Sequence, residues 1–272
     1  MNKQLELEDA IMQDAIRYVK EAGALILELM IQPLQIHEKE NQSDLVTVVD
    51  MQSEDLLRNR IIADYPDHWI LSEETDGGKE DAHLLLVHPP KGYGWIIDPI
   101  DGTTNFIHKM AHFAISIGIV KDGVPLCGVV YNPVTDDLYF GRKQRGAFLN
   151  GIPIHVGQEQ DLSQALLGTG FPAKEWKANS NVVEQIARIT GVARDVRILG
   201  SASLDLCLVA SGGLTGFWHD GLYPWDVAAG LVIVQEAGGT ITNHAGEDFE
   251  LSNDTLVASN SFIHHSLLSV LK

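Results

Sequence analysis

Residues 95–106, WIIDPIDGTTNF, carry more chemical information than any other stretch of this chain. An apolar run delivers two carboxylates, Asp98 and Asp101, into a turn favoured by Pro99 and Gly102. Proline fixes its own φ and keeps the residue before it out of the α region, so a strand is expected to end at Asp98. Thr103, Thr104 and Asn105 follow at once, residue types that cap the start of a helix. Hard carboxylate oxygens beside the free N–H groups of a helix start suit a divalent cation and a phosphate together. Asp-Pro and Asp-Gly are also ordinary turn dipeptides, so the reading rests on further acids.

Three other segments supply them. Asp50 ends DLVTVVD (44–50), which reads as a short strand, and Glu73 and Glu74 follow an apolar strand over 68–71. Asp226 opens a helix that is apolar nearly all round. Taken singly, Glu73 and Glu74 could lie in a solvated loop, and Asp226 could simply offset a helix dipole. Together, each acid sits where an apolar element ends, and carboxylates gathered there are costly unless cations offset their repulsion. Two cations about 4 Å apart can stabilise both the attacking and the leaving oxygen of an in-line displacement. Cations also bring the pKa of water towards neutrality, so no Ser or Cys nucleophile is needed.

The elements that must hold these acids are legible in part. Apolar residues at helical spacing predict a helix over 6–31 stopped by Pro33, and a second helix ends before Pro66. From 114 to 154 the pattern is β, with Asp122-Gly123 and Asn150-Gly151 as hairpin turns. Beyond it, strands near 166–169, 196–199 and 216–219 alternate with helices near 181–190, 203–210 and 225–237. This order predicts a layered α+β fold rather than a doubly wound parallel sheet. A single domain over 1–272 is expected, in two tightly packed halves meeting near 150–160. The net charge of −18 argues against nucleic acid or an anionic membrane as partner. Cys127 and Cys207 lie in apolar segments without metal-binding spacing, and the start of the chain lacks a signal-peptide core, so a cytoplasmic location is expected.

At this point the chain closely resembles the inositol monophosphatase family of Mg²⁺-dependent, lithium-sensitive sugar phosphatases. The likeness covers nearly the whole chain. Residues 95–106 and WDVAAGLVIVQEAGG (225–239) match its two signatures, with DLVTxxD and the Glu pair before them in order. The resemblance implies an αβαβα sandwich, a homodimer and two or three Mg²⁺ per site. It implies Glu73, Asp98 and the Ile100 carbonyl as ligands of one Mg²⁺, and Asp98, Asp101 and Asp226 as ligands of a second. A third would sit near Glu73, with Glu74 supporting this shell. Thr103, paired with Thr47 or Asp50, would orient and deprotonate the attacking water, and the N–H groups of Gly102 and Thr103 would hold phosphate. Ser201 and Ala202 match a substrate-facing stretch. His219, seven residues before Asp226, stands where the family usually carries a Glu that hydrogen-bonds inositol hydroxyls.

The expectation is a phosphomonoesterase acting on inositol 1-phosphate and related sugar phosphates. Fructose-1,6-bisphosphate, NADP, 3′-phosphoadenosine-5′-phosphate and histidinol phosphate are alternative substrates within the same family. A non-catalytic phosphometabolite-binding protein is the rival of another class, and it has no need of a water-activating Thr103. A two-metal nuclease is disfavoured by the acidic charge.

Overall fold

Helix α1 (Lys3–Leu29) buries Ile11, Ala15, Tyr18, Val19, Ala22 and Ile26 along one face, the three-to-four spacing that an amphipathic helix requires. The computed structural model describes residues 3–32, 36–38, 45–76, 79–172, 177 and 180–272; Pro33 and Asp44 lie outside them. After α1 come β1 (Ile36–Glu38), β2 (Leu45–Thr47), α2 (Val48–Asp64), β3 (Trp69–Ser72), α3 (Glu73–Asp76) and α4 (Lys79–Val87). A long sheet region follows, with β4 (Tyr93–Asp101), the short α5 (Thr103–Ile107), β5 (Ala114–Lys121), β6 (Val124–Asn132), β7 (Asp137–Arg142), β8 (Gly146–Leu149) and β9 (Ile152–Ile154). The remainder alternates: β10 (Leu166–Thr169), α6 (Asn181–Ile189), β11 (Asp195–Ile198), α7 (Ala202–Ala210), β12 (Gly216–Asp220), α8 (Pro224–Glu236), β13 (Thr240–Thr242), β14 (Thr255–Ser259) and α9 (His264–Leu271).

β3 to β9 form a seven-stranded sheet in sequence order, parallel between β3 and β4 and antiparallel thereafter. A second sheet of five strands runs β11-β10-β12-β14-β13, with β10, β11 and β12 parallel. Helices α1 and α2 cover one face of the first sheet, α7 and α8 lie between the sheets, and α6 and α9 form the layer beyond the second, α9 packing on β14. Three apolar cores fill the gaps between these layers. The fold is the layered αβαβα sandwich expected from the sequence.

The middle layer explains the apolar signature of α8. Ten of its thirteen residues are buried, because sheet lies on both sides of it. Gly118 on β5 and Gly128 on β6 are cross-strand partners, and Ala228 and Ala229 of α8 sit directly over them. A Cβ on Gly118 would strike the Ala228 methyl, and one on Gly128 would strike the Ala229 backbone. The glycine pair therefore opens a trough that sets the depth and register of α8.

Three local expectations need correction. DLVTVVD is not one strand: β2 stops at Thr47, and α2 begins at Val48. Thr47 caps α2, its hydroxyl accepting the Val49 N–H, while Asp50 accepts the Thr47 N–H, a reciprocal capping box. That local bonding outweighs the β preference of two adjacent valines. Nor does β4 end at Asp98; it runs to Asp101 through a register shift, and a bulge is where proline is tolerated in a sheet. Finally, α5 is capped by Gly102 in the left-handed region (φ 99°) and by none of the hydroxyls after it. The sequence pattern predicts neither β1, α3 and α4 nor the elements after α8.

Gly128→Ala should lower stability although alanine is the better strand residue. The new methyl meets α8 backbone, which cannot move alone, so overpacking of about 1–3 kcal/mol outweighs the gain in chain stiffness. Thermal unfolding checks this, with an expected fall of about 2–4 °C per kcal/mol for a chain of this size class. A melting point at or above that of the wild type would contradict the trough argument.

Candidate active site

Strand register and one packed helix bring the acids together. Asp98 on β4 pairs with Ser116 on β5, and the Ser116 hydroxyl reaches the Trp225 carbonyl at 3.4 Å, which sets Asp226 beside Asp98. On the other side β3 runs parallel to β4 with Ser72 opposite Ile97, so Glu73 emerges next to Asp98. The outcome is a group in which Asp98, Asp101 and Asp226 each place a carboxylate oxygen within 4.8 Å of the others. Glu73 is half-buried and stands outside that tight group. Its charge is nevertheless the strongest of the neighbouring carboxylates acting on Asp98.

The electrostatics of the group are unfavourable as it stands. Asp98 is 1% exposed. Burial pushes its carboxyl well above the ordinary range, and Glu73, Asp101, Asp226 and Glu74 push it further. Burial raises Asp101 too, against hydrogen bonds that lower it. Hard oxygens packed at this density match the donor set of a small divalent cation, whose charge would relieve the repulsion. The residues present fit a Mg²⁺-type ion.

Asp101, Asp226 and Asp98 are each held by hydrogen bonds from their own surroundings. Asp101 Oδ2 accepts the Ser201 hydroxyl (2.7 Å), the Ser203 N–H (2.7 Å) and the Ser203 hydroxyl, all at the start of α7. Asp226 Oδ2 accepts the Tyr223 N–H at 2.7 Å, the capping bond of α8. Asp98 Oδ1 accepts the Ile100 N–H at 3.0 Å within the bulge. Ser201 and Ala202 thus lie against Asp101, and Ser203 is a holder of that acid that sequence reasoning missed. The Ser-x-Ser spacing before an apolar helix was the available signal.

Beside the acids stands a second constellation. The Thr103 hydroxyl lies 3.1 Å from Asp50 Oδ1 and 3.1 Å from the Ile100 carbonyl. Asp50 Oδ2 takes the Thr47 N–H (2.9 Å) and the Thr47 hydroxyl. Between the two candidate partners for Thr103, the geometry selects Asp50, with Thr47 acting through it. Burial raises the proton affinity of Asp50, while its bonds to Thr47 and Thr103 lower it. Gly102 must be glycine: φ is 99°, and a Cβ would come within 3.0 Å of the Gly200 carbonyl. Asn105 ties the same turn to the second sheet by donating to the His112 and Leu199 carbonyls, both at 2.7 Å.

His219 lies on β12, 7% exposed, with its ring packed against the Gly170 backbone. Burial pulls its pKa down to about 4, so the imidazole is neutral near pH 7. Its Nδ1 has no hydrogen-bond partner among the described residues. Neighbouring Asp220 lies 3.3 Å from His244, close enough for an ion pair but not aligned for a hydrogen bond. Strands β10, β11 and β12 are parallel, and Ser201 and Asp226 follow β11 and β12. The carboxyl ends of these strands, with His219, therefore face the same edge as the acids.

Residues 8–272 match the inositol monophosphatase family. The chain is 39% identical to an inositol monophosphatase of Mesembryanthemum crystallinum over 262 residues, covering 95% of this chain and 94% of that one. It superposes on the extragenic suppressor protein suhB of Bartonella henselae with a TM-score of 0.87 at 30% identity, covering 97% and 98% of the two chains. The inositol monophosphatase structure from Anabaena gives 0.83 at 33% identity, covering 97% and 95%. With a family match spanning nearly every residue and the acid cluster in place, the chain belongs to the inositol monophosphatase family.

Proposed function

We propose that this protein is a Mg²⁺-dependent phosphomonoesterase that hydrolyses inositol 1-phosphate. The observation that carries the reading is the convergence of Asp98, Asp101 and Asp226 within 4.8 Å beside the Thr103–Asp50 pair. Asp98, Asp101 and Asp226 would hold one Mg²⁺, and Asp98, Glu73 and the Ile100 carbonyl another, with a third near Glu73. When bound, the cations would neutralise phosphate charge, acidify water and stabilise the departing oxygen.

The chain's own groups do the rest. The Ile100 carbonyl would be taken up in holding a cation, and Asp50, 3.1 Å from the Thr103 hydroxyl, is then the acceptor for its single proton. The Thr103 oxygen then has lone pairs free to accept a proton from water, and Asp50 is the final acceptor. The N–H groups of Gly102 and Thr103, at a helix start where no intrahelical acceptor exists, would hold phosphate oxygens. Substrate contacts from Ser201 and Ala202 would be indirect, through Asp101. Buried, free Cys127 and Cys207 suit a reducing, cytoplasmic setting. Among the described residues no helix is long and apolar enough to cross a membrane. A homodimer is the expected assembly by family likeness.

His219 bears on the alcohol half of the substrate. A carboxylate accepts two hydroxyls at once, whereas a neutral imidazole offers one acceptor and one donor. This favours a broader substrate range, with bisphosphates and nucleotides as the second reading.

Phosphate release from a panel of phosphomonoesters with and without Mg²⁺ tests the main proposal. Inositol 1-phosphate should be cleaved only with Mg²⁺, and Asp98→Asn should lose activity by orders of magnitude while melting at an equal or higher temperature when metal-free, since repulsion is relieved. Substantial Mg²⁺-dependent turnover by Asp98→Asn would sink the assignment. Thr103→Ala keeps the backbone N–H and removes the hydroxyl, so kcat should fall by about 10²-fold or more with little change in KM. A defect mainly in KM would instead make Thr103 a substrate holder. His219→Glu should raise kcat/KM for inositol 1-phosphate relative to a bisphosphate or nucleotide by roughly five- to a hundredfold, the worth of one hydrogen bond, neutral or charged. An unmoved ratio assigns His219 a purely structural part.

A further inference from the structure

One face of α2 is polar where a packed helix should be apolar. Asp50, Glu54 and Arg58 recur at four-residue spacing and so lie on one stripe of the helix, while Val49, Leu57 and Ile61 turn to the core. Asp50 is the partner of Thr103 described above. Glu54 is 2% exposed and carries no cation against it in any ion pair among the described residues. A buried carboxylate beside Glu73, Glu74 and Asp76 adds to an already repulsive region, so it needs a specific reason to be there.

Its hydrogen bonds supply the reason. Glu54 Oε1 accepts the Ser72 hydroxyl (2.9 Å), the Thr75 N–H (2.9 Å) and the Thr75 hydroxyl, and Oε2 accepts the Glu74 N–H at 2.8 Å. These donors bracket Glu73 on both sides. The Glu74 and Thr75 N–H groups belong to the first turn of α3, which has no acceptor of its own for them. Glu54 reaches across from α2 and caps α3 from outside. Arg58, one turn on, completes the clamp through the Ser72 hydroxyl (2.7 Å) and Asp76 (3.0 Å), and Asp76 takes the Ser72 N–H at 3.0 Å.

We propose that Glu54 is a positioning residue that fixes the backbone of Glu73 against Asp98, so that the metal site is assembled before any cation arrives. The proposal rests on the metal reading given above. A carboxylate does this and an amide cannot, because the four donors occupy both oxygens. Glutamine in its place must turn an NH₂ group towards either the Glu74 N–H or the Ser72–Thr75 side. One helix, α2, then positions both the Asp50 side of the site and the Glu73 side.

The test compares wild type, Glu54→Gln and Asp55→Asn, the last removing the same charge from an exposed position one residue away. The two deciding readouts are Mg²⁺ binding by calorimetry and amide hydrogen exchange of the 72–76 peptide in metal-free protein, and activity is followed beside them. Loss of a bond to a charged acceptor should speed exchange in Glu54→Gln by about ten- to a hundredfold, with Mg²⁺ binding at least about tenfold weaker. Activity at saturating Mg²⁺ should recover to within about threefold of wild type, because metal binding closes a local opening of this kind. Asp55→Asn should leave both readouts near wild type. If Glu54→Gln does not fold, Thr75→Val, which deletes a single donor at an exposed residue, should shift both readouts in the same direction by about three- to tenfold. A wild type that binds no Mg²⁺ overturns the metal reading and this inference with it. A wild type that binds Mg²⁺ beside a Glu54→Gln or Thr75→Val variant unchanged in both readouts overturns the role of Glu54 alone. Equal effects from Asp55→Asn also overturn it, since charge rather than capping would then be the cause.

Discussion

Repulsion among buried carboxylates is the constraint around which this fold is arranged. Asp98 is enclosed by protein, and every charge that acts strongly on it is negative. In a low-dielectric interior such an arrangement is tolerated only if the acids take up protons or a cation neutralises them. The rest of the structure works to keep them close in spite of this. β3 and β4 run parallel so that Glu73 emerges beside Asp98, and α8 is sunk into the sheet so that Asp226 meets them.

Holding the acids is a matter of hydrogen bonds that each engage one carboxylate oxygen. Asp101 engages Ser201 and Ser203 through one oxygen, Asp226 engages the Tyr223 N–H through one, and Asp98 engages the Ile100 N–H through one. The other oxygen of each carboxylate is not used by these bonds. Most of the donors are backbone groups at a helix start or a bulge, where N–H groups lack regular partners. Sites supported in this way need little rearrangement on taking up a ligand, which is the physical content of preorganisation.

The same devices join the two sheets. Asn105, just after β4 of the first sheet, reaches Leu199 beside the second, and Asp101 on β4 is held by the opening of α7. The acid group therefore belongs to neither sheet alone. The largest apolar core spans the same gap, from Ile96 and Val130 through α7 and α8 to Phe217 and Leu256, so the packing that joins the sheets also holds the site together.

Much of this was legible in the chain itself. The apolar period of α1, the hairpin turns at Asp122-Gly123 and Asn150-Gly151, and the all-round apolarity of α8 follow from local rules. Acids that close apolar runs stand out by residue type and spacing as well, and the resemblance to the family singles out Asp50, Glu73, Asp98, Asp101 and Asp226 among them. Tertiary structure decided what local rules could not. It chose a bulge over a strand end at Pro99. It gave Thr103 to Asp50, placed Ser203 under Asp101, and set Glu54 under Glu74. Propensity and period are properties of neighbours along the chain, and they report which residues are unusual. Which of these residues meet depends on strand register and on how deep a helix sits in a sheet. Those are set by contacts between segments a hundred residues or more apart, such as Ser201 with Asp101.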